Sequence, residues 1–549
     1  MKDHRNPVQM LMHWAERRPN APWLFQPHGG QWQRTTWGEA DAQVRRMASA
    51  LHSLGLAPGA RIAISGLNTA HWFLADMAIT MAGYVSVGLY PKQQAEHVTY
   101  ILEHSESRAL FLGPMSDADE FMRAVPAGTR TVRFPYPAAP KGEFDWDDLI
   151  AAHVPMHGYT PPAPESLSTL VYTSGTTGKP KGVMITQQNS LFATAGGLKA
   201  MPPVGTERLF CYLPLAHMFE RGAVELTSLY LGAEVWFLES IDKLGEQIVD
   251  VQPTRFFGVP LVYTRMQAAI LKKLPQAKLD KLLGIPLVST LIRRKIRKGL
   301  GLSRARYIIV GAAPMPDPLT NWFARLGVTI LQGYGMTENS IYATVNLPHA
   351  NRVGSVGREM PGAGLKIADD GEILFKSDAV MAGYYKEPDK TRETFTADGY
   401  LKTGDQGRVE DGYLYITGRV KDLFKTAKGK YVSPSPIEGA LARNADLDQL
   451  CFIGTGLNQP IMLATLSAAA KSRPHAEIEA RLIADLDEVN ATLEPHEKIA
   501  KIVIVNDTWG IDNGLTTPTM KIKRSEVEKR YAALLQREAQ TRSKIAWET

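Results

Sequence analysis

The sequence predicts an α/β protein: a large N-terminal body of helix-covered, largely parallel sheets, with a small α+β domain behind it. Three observations carry this. Over about the first 400 residues, short apolar runs ending in turn residues alternate with helically spaced segments. That is the pattern of parallel strands joined by crossover helices. At 549 residues the chain is too long for one core, and fits about three or four folding units fused into two bodies. Near residue 418 the composition shifts to charge, glycine and turn residues, as at a linker.

The elements follow in order. "AEHVTYILEHSES" (95–107) has helical spacing, and "RALFLG" (108–113) reads as a buried strand. "STLVYTS" (168–174) is a strand running into a glycine-rich loop, and "GVMIT" (182–186) is a strand leaving it. "AEVWFL" (233–238), "RFFGVP" (255–260) and "RYIIVGAAP" (306–314) each read as a buried strand ending in turn residues. Ligands of such sheets gather at the carboxyl ends of strands, where both the glycine loop and "VGAAP" lie. Past residue 418 come a helical start in "SPSPIEGALARN", a strand in "QLCFIGTG", an acidic helix over Ala476–Asn490, a strand in "KIVIV" and a closing basic helix from Ser525. The expected division is 1–417 for the large body, 418–422 for a hinge and 423–549 for the small domain.

Composition is ordinary for a globular protein, with 44% hydrophobic and 21% charged residues. No apolar run is long enough to span a bilayer, and the charged N-terminal stretch does not read as a secretory signal. Cys211 and Cys451 are too few for a disulfide framework and lack metal spacing. A cytoplasmic enzyme is expected. The net charge of +6 is uneven: residues 272–306 hold eleven Lys or Arg and one Asp, leaving −4 on the remainder. This segment reads equally as a peripheral contact for an anionic membrane surface or as a solvated helix face. Nucleic acid is not expected as a partner, because no binding motif or aromatic platform accompanies the charge.

The loop itself is "TSGTTGKPKG": Thr173, Ser174, Gly175, Thr176, Thr177, Gly178, Lys179, Pro180, Lys181 and Gly182. Glycines let backbone amides approach a ligand, while hydroxyls and lysines supply donors and positive charge. These suit phosphate. The spacing is not that of a Walker A loop: Thr173 stands where the first glycine should be and Pro180 where Ser or Thr would hold magnesium.

Four further stretches accompany the loop: "LPLAHMFER" with His217, "LQGYGMTEN" (331–339), "YLKTGDQGRVEDGYLYITGRVKD" with Asp405 and Arg419, and "LTTPTMKIKR" with Lys521. With these five in this order, the sequence resembles the adenylate-forming superfamily of acyl-CoA synthetases, luciferases and peptide-synthetase adenylation domains. "PLAHMFER", "KIRKGLG" and "LTTPTMKIKR" are most similar to the long-chain acyl-CoA synthetase branch.

The resemblance implies a fold with a mobile C-terminal domain, and a reaction. A carboxylate attacks the α-phosphorus of ATP, expelling pyrophosphate; the acyl adenylate then passes to a thiol, coenzyme A in the long-chain branch. A fatty carboxylate is already ionised at neutral pH, so no base is needed and catalysis is charge neutralisation and positioning. By resemblance, residues 173–179 wrap the leaving phosphates, Tyr334 stacks on adenine, and Gly311, Ala312 and Ala313 let the backbone press against the base. Thr337 donates to the α-phosphate, Glu338 ligates Mg²⁺, Asp405 accepts the ribose hydroxyls and Arg419 binds ribose or phosphate. His217 orients the acyl group and is not read as a base. Lys521 neutralises charge during adenylation, with Lys523 as its rival; Met520 stands before it where many members have glycine. Lys421 is the implied hinge and Gly429 the implied lining of the coenzyme A tunnel. The residues leave the acyl chain length open, and leave open a fatty acyl-AMP ligase or an enzyme loading a carrier protein in trans.

Overall fold

The structure is a computed structural model that describes residues 5–173, 179–420, 422–427, 429–517 and 521–548. Two large sheets organise the N-terminal body. In one, the strands Ile330–Tyr334, Tyr307–Val310, Arg255–Gly258, Arg208–Cys211, Glu234–Phe237 and Pro22–His28 run parallel side by side, with short antiparallel strands at both edges. In the other, Arg61–Ser65, Val85–Leu89, Ser107–Leu112 and Leu167–Thr173 are parallel, and Lys181–Thr186 returns antiparallel beside Leu167–Thr173. Central strands such as "YIIV" are continuous apolar runs because both faces are covered.

Helix Ala70–Met81 is buried along its whole length, as expected of a helix covered on every side. Helices with a surface face start on local signals instead. Trp37–Ser53 opens with a capping box between Thr36 and Glu39, and Pro7–Arg17 with one between Asn6 and Gln9. Each expected strand overlaps an observed one; the expected helical segment 95–107 is helix only over Ala95–His104, and the expected helix 476–490 lies within His475–Ala491.

Two features differ from the sequence reading. A separate antiparallel sheet of Gly364–Ile367, Glu372–Lys376, Leu401–Glu410 and Tyr413–Arg419 follows the parallel sheets. Its strands are mostly half-buried or exposed outside a few core positions and are joined by tight glycine turns, a weaker signal than the apolar runs before them. The chain also does not close on a basic helix. Helices Arg524–Arg530 and Ala532–Glu538 are followed by a strand, Ile545–Trp547, parallel to Ile502–Ile504. Buried Lys501 explains the turn: its ammonium donates to Glu538 and Ser543 and contacts Thr541, fixing the tail beside the sheet, where Trp547 stacks on His475 at 3.6 Å.

The small domain is a four-stranded sheet, Leu447–Ile453, Ile461–Leu466, Ile502–Ile504 and Ile545–Trp547, with helices packed against it, plus a hairpin of Phe424–Lys425 and Tyr431–Val432. The strand Tyr413–Arg419 carries the large body's sheet as far as Arg419.

Candidate functional site

The site forms where strand ends of the large body meet a loop of the small domain. Strand Leu167–Thr173 and strand Lys181–Thr186 face each other, with Thr173 opposite Lys181. Of the loop between them, Ser174, Gly175, Thr176, Thr177 and Gly178 lie outside the described residues. The Lys179 ammonium sits 5.0 Å from the ring centre of Tyr100, and that of Lys181 sits 4.7 Å from that of Tyr384.

The next strand end carries Gly311, Ala312 and Ala313. Ala312 adopts φ +66°, a left-handed conformation unusual for a residue with a Cβ. Gly311 is buried, and a Cβ there would lie 3.5 Å from the Phe219 ring and 3.7 Å from the Gly333 carbonyl oxygen. Ala312 and Ala313 are exposed, so this strand end offers a low wall of backbone and methyl groups.

Tyr334 ends the neighbouring strand, and its hydroxyl donates to Asp405 Oδ2 at 2.6 Å. Burial, and then the Asp405 charge, push the phenol well above its ordinary pKa, so it stays a donor. Asp405 Oδ1 accepts from Arg419 Nε at 2.7 Å, the two residues lying opposite each other on paired strands. Asp405 is largely covered, whereas Arg419 is 42% exposed and free to meet a ligand. Each carboxylate oxygen has a second lone pair, so accepting ribose hydroxyls needs no rearrangement.

Thr337 and Glu338 occupy a short buried turn, Thr337–Asn339. Asn339 Oδ1 accepts from Met336 N at 2.9 Å, and Ser340 and Ile341 follow at φ +52° and +58°. Two consecutive left-handed non-glycine residues are strained, Ile341 most as a β-branched one, and such strain persists only where the surroundings hold it. Here the turn is clasped from the side. Met381 N donates to the Glu338 carbonyl at 2.8 Å, Ser340 Oγ to the Ala379 carbonyl at 2.8 Å, and the Tyr384 hydroxyl to Glu338 Oε1 at 2.9 Å.

Among the described residues no group of three or more His, Cys, Asp or Glu could cage a metal. Mg²⁺ is commonly held by one or two carboxylates together with waters and substrate phosphates. Glu338 fits as the protein carboxylate, because the single side-chain hydrogen bond it receives from the described residues leaves lone pairs for an ion.

His217 caps a short helical segment, its Nδ1 accepting from Phe219 N at 3.1 Å. Burial, and then the positive charge of Lys521, pull its pKa down to about 4. The ring is therefore neutral near pH 7, with its proton on Nε2: a donor and not a base at that atom.

Lys521 comes from the small domain yet belongs to this group. Its ammonium is pulled below its ordinary pKa by the protein packed around it and by Arg419, while Asp405 and Glu338 oppose that shift. The residue still keeps access to water, as befits a side chain in an open cleft. Its loop is anchored at the base: Arg524 donates to both oxygens of Glu438, at 2.7 and 3.0 Å, and to the Phe452 carbonyl at 2.6 Å. The rival, Lys523, acts instead on His97 of helix Ala95–His104.

The structure thus brings together Gly311, Tyr334, Thr337, Glu338, Asp405, Arg419, His217 and Lys521, while the described contacts of Thr173 and Lys179 are with Lys181 and Tyr100, outside this group. It does not bring Gly429 to the group. That residue is an exposed turn glycine at φ +77°, with Lys425 of its own hairpin the nearest neighbour to a would-be Cβ. Lys421 lies outside the described residues. Sequence reasoning missed Tyr384, which has no motif spacing, and missed a buried ionic cluster behind His217. In that cluster Arg221 donates to Asp76 at 2.6 Å, Thr169 at 2.6 Å and Ser86 at 3.2 Å, and pairs with Glu225. The charged letters of "HMFERGAVEL" were its only sign.

Comparison with known proteins places the chain in a family. Residues 11–385 match the AMP-binding enzyme family and residues 421–539 the AMP-binding enzyme C-terminal domain. A long-chain-fatty-acid–CoA ligase, FadD15 of Mycobacterium bovis, is 30% identical over 97% of this chain and 96% of its own. The peroxisomal long chain acyl-CoA synthetase 6 of Arabidopsis thaliana is 28% identical over 92% of this chain and 81% of its own. Among solved structures, the adenylation domain of a carboxylate reductase from Mycobacterium chelonae superposes with TM-score 0.83 at 21% identity, covering 98% of this chain and 91% of that one. An anthranilate CoA ligase, AuaEII, superposes with TM-score 0.79 at 23% identity, covering 97% and 98%. Fold, ordered site and full-length similarity converge: the chain belongs to the AMP-binding enzyme family.

Proposed function

We propose that this protein is an AMP-forming acid–thiol ligase that activates medium- or long-chain fatty acids with ATP and transfers them to coenzyme A. The observation that carries the proposal is the placement of Lys521, from the small domain, in the electrostatic field of Asp405, Arg419, Glu338 and His217 of the large body. Full-length similarity to long-chain-fatty-acid–CoA ligases supports the substrate class.

In the first step a carboxylate oxygen of the acid bonds to the α-phosphorus while the bond from that phosphorus to the bridging oxygen breaks, and pyrophosphate leaves. No proton moves. Two anions converge, so the protein's task is to neutralise and align. Lys521 and Arg419 bring positive charge to the α-phosphate side, and Lys179 and its loop to the leaving phosphates. Thr337 donates to the α-phosphate. His217, neutral with its Nε2 proton, donates to the acyl carboxylate. Tyr334 and the Gly311–Ala313 wall hold the base, while Asp405 holds the ribose. Mg²⁺ held by Glu338 would supply further neutralisation of phosphate charge.

In the second step the coenzyme A sulfur bonds to the acyl carbon, AMP leaves, and the thiol proton goes to solvent. Rotation about Lys421 withdraws Lys521 and presents Gly429 to the thiol.

The protein acts in the cytoplasm at an anionic membrane surface. Helix Pro286–Gly299 supports this: Leu287 is 84% and Leu291 67% exposed on one outer face, continued by exposed Arg294, Lys295 and Lys298. Apolar and basic residues on one exposed face suit an anionic bilayer. No helix of the described residues is long and apolar enough to cross a membrane.

Assays of AMP, ADP and free thiol with octanoate and palmitate test the function. AMP formed in step with thiol loss is expected. ADP release would refute it, and adenylate without thiol loss would identify an acyl-AMP ligase.

A further inference from the structure

The phosphate loop and the Glu338 turn are joined by one side chain. Strand Lys181–Thr186 leaves the loop and pairs with Gly383–Tyr384, Met184 opposite Gly383 and Val183 opposite Tyr384. The clasp is tight on both sides. Ala382 N donates to the Met184 carbonyl at 3.0 Å and Tyr385 N to the Gly182 carbonyl at 2.8 Å. Tyr384 N donates to Thr391 Oγ1 at 2.9 Å, and a Cβ on Gly383 would come within 2.7 Å of Thr391 Cγ2. The backbone at 383–384 therefore has no room to shift without the helix Pro388–Thr394 shifting too.

From this fixed point the Tyr384 side chain does two things. Its ring lies under the Lys181 ammonium, 4.7 Å from ring centre to nitrogen. Its hydroxyl donates to Glu338 Oε1 at 2.9 Å. The side chain is 6% exposed, so the hydrogen bond does not compete with bulk water. Burial, and then the Glu338 charge, hold the phenol well above its ordinary pKa, and it remains a donor.

We infer that Tyr384 is the positioning residue of the metal carboxylate: it fixes Glu338 through one oxygen, leaves the other oxygen to the ion, and sets that carboxylate in register with the strand leaving the phosphate loop. The inference rests on the reading of Glu338 as the Mg²⁺ ligand. The chemistry is that of a hydrogen-bond partner behind a metal ligand, which fixes ligand orientation; loss of such a partner typically costs about 10- to 100-fold in metal affinity or activity.

Tyr384→Phe keeps the ring and its contact with Lys181 but removes the donor. Tyr384→Leu removes both. Mn²⁺ binding followed by electron paramagnetic resonance, with α,β-methylene-ATP on the full chain, reads the metal without turnover. For Tyr384→Phe the Mn²⁺ dissociation constant is expected to rise about 10- to 100-fold. Its kcat should recover at high Mg²⁺, with KM for ATP near wild type once metal saturates. Tyr384→Leu should add a rise in KM for ATP that metal does not rescue. Circular dichroism and thermal melts establish that each variant is folded; if Tyr384→Phe is not, Tyr384→Leu carries the metal readout.

Glu338→Gln separates the two levels of the argument. If Glu338→Gln weakens Mn²⁺ binding and Tyr384→Phe does not, the Tyr384 inference is overturned and Glu338 stands. If neither weakens it, the Glu338 assignment falls and takes the inference with it. A Tyr384→Phe loss of kcat that no Mg²⁺ concentration restores also overturns it.

Discussion

Glu220 lies three residues beyond His217, with 1% of its surface exposed. Its Oε1 accepts from Tyr212 N at 2.7 Å and Leu213 N at 3.2 Å, while Oε2 is buried with no hydrogen-bond partner among the described residues. Burial pushes the carboxyl from the ordinary 4.5 to about 8, outweighing the hydrogen bonds that pull it down. The folded form thus keeps a proton that the unfolded chain has released. Between about pH 4.5 and 8 the folded state binds more protons, so stability falls as pH rises, and levels off above 8. At about 1.4 kcal/mol per pH unit the full span is at most about 5 kcal/mol, and relaxation or water entry lowers it below that bound.

Glu220→Gln removes the titration while keeping the Oε1 acceptor for both amides. The variant and the wild type should melt alike at pH 5. By pH 8 the variant should melt a few degrees higher, since about 1 kcal/mol moves a large domain's Tm by about 2 °C. Differential scanning calorimetry at pH 5, 6.5 and 8 reads the gap. A gap independent of pH, or a variant that loses stability with pH in parallel with wild type, would refute the reasoning.

Other consequences are equally direct. Lys521→Ala should slow adenylate formation by about 10²-fold or more yet still convert supplied acyl-AMP and coenzyme A at near the wild-type rate, because on the proposed mechanism Lys521 serves only the first step; parallel loss of both half-reactions would contradict that division. Lys421→Pro, by fixing φ, should adenylate and then stall before thioester, as separate pyrophosphate and thioester assays would reveal. Arg221→Met strands Asp76 and Glu225 and should cost about 3–5 kcal/mol in denaturant unfolding. Leu287→Glu with Leu291→Glu should abolish flotation with anionic vesicles at low salt while leaving turnover of a soluble short-chain acid intact.

Sequence legibility followed the strength of each local signal. Strands such as "RFFG" and "YIIV" were plain because a strand covered on both faces must be apolar throughout. The sheet of residues 364–419 was not separated, because its strands are only partly buried and its turns read as loop. Ile545–Trp547 was invisible: a three-residue strand is made by pairing and by the Lys501 cluster, not by its own pattern. Within the site, "TGD", "TGR" and "MTEN" brought Asp405, Arg419, Thr337 and Glu338 to notice, yet nothing local disclosed that Tyr334 and Arg419 would each hold one oxygen of Asp405. The neutral Nε2–H form of His217 depends on Phe219 N and on burial, and Tyr384 on strand pairing with Val183. These are tertiary facts, and a residue's neighbours in sequence do not encode them.

The placement of Lys521 bears on how the two domains part. An ion pair between the bodies, Lys92 with Asp512 at 3.1 Å, is 49% and 78% exposed on its two sides. An exposed pair of this kind is worth about 0.2–1 kcal/mol. Nearby, Lys523 bears on His97, and Lys521 stands against the positive charge of Arg419 and beside the neutral His217. Asp405 and Glu338 act in the opposite sense. On the proposed reaction further negative charge arrives with ATP and the carboxylate, and most of it departs as pyrophosphate. On that reading the nucleotide would add to the attraction that holds Lys521 in place, and its cleavage would remove that part after the lysine has served. A domain that must turn between two half-reactions needs an interface of this kind, weak in its own contacts and closed by the charge of the substrate.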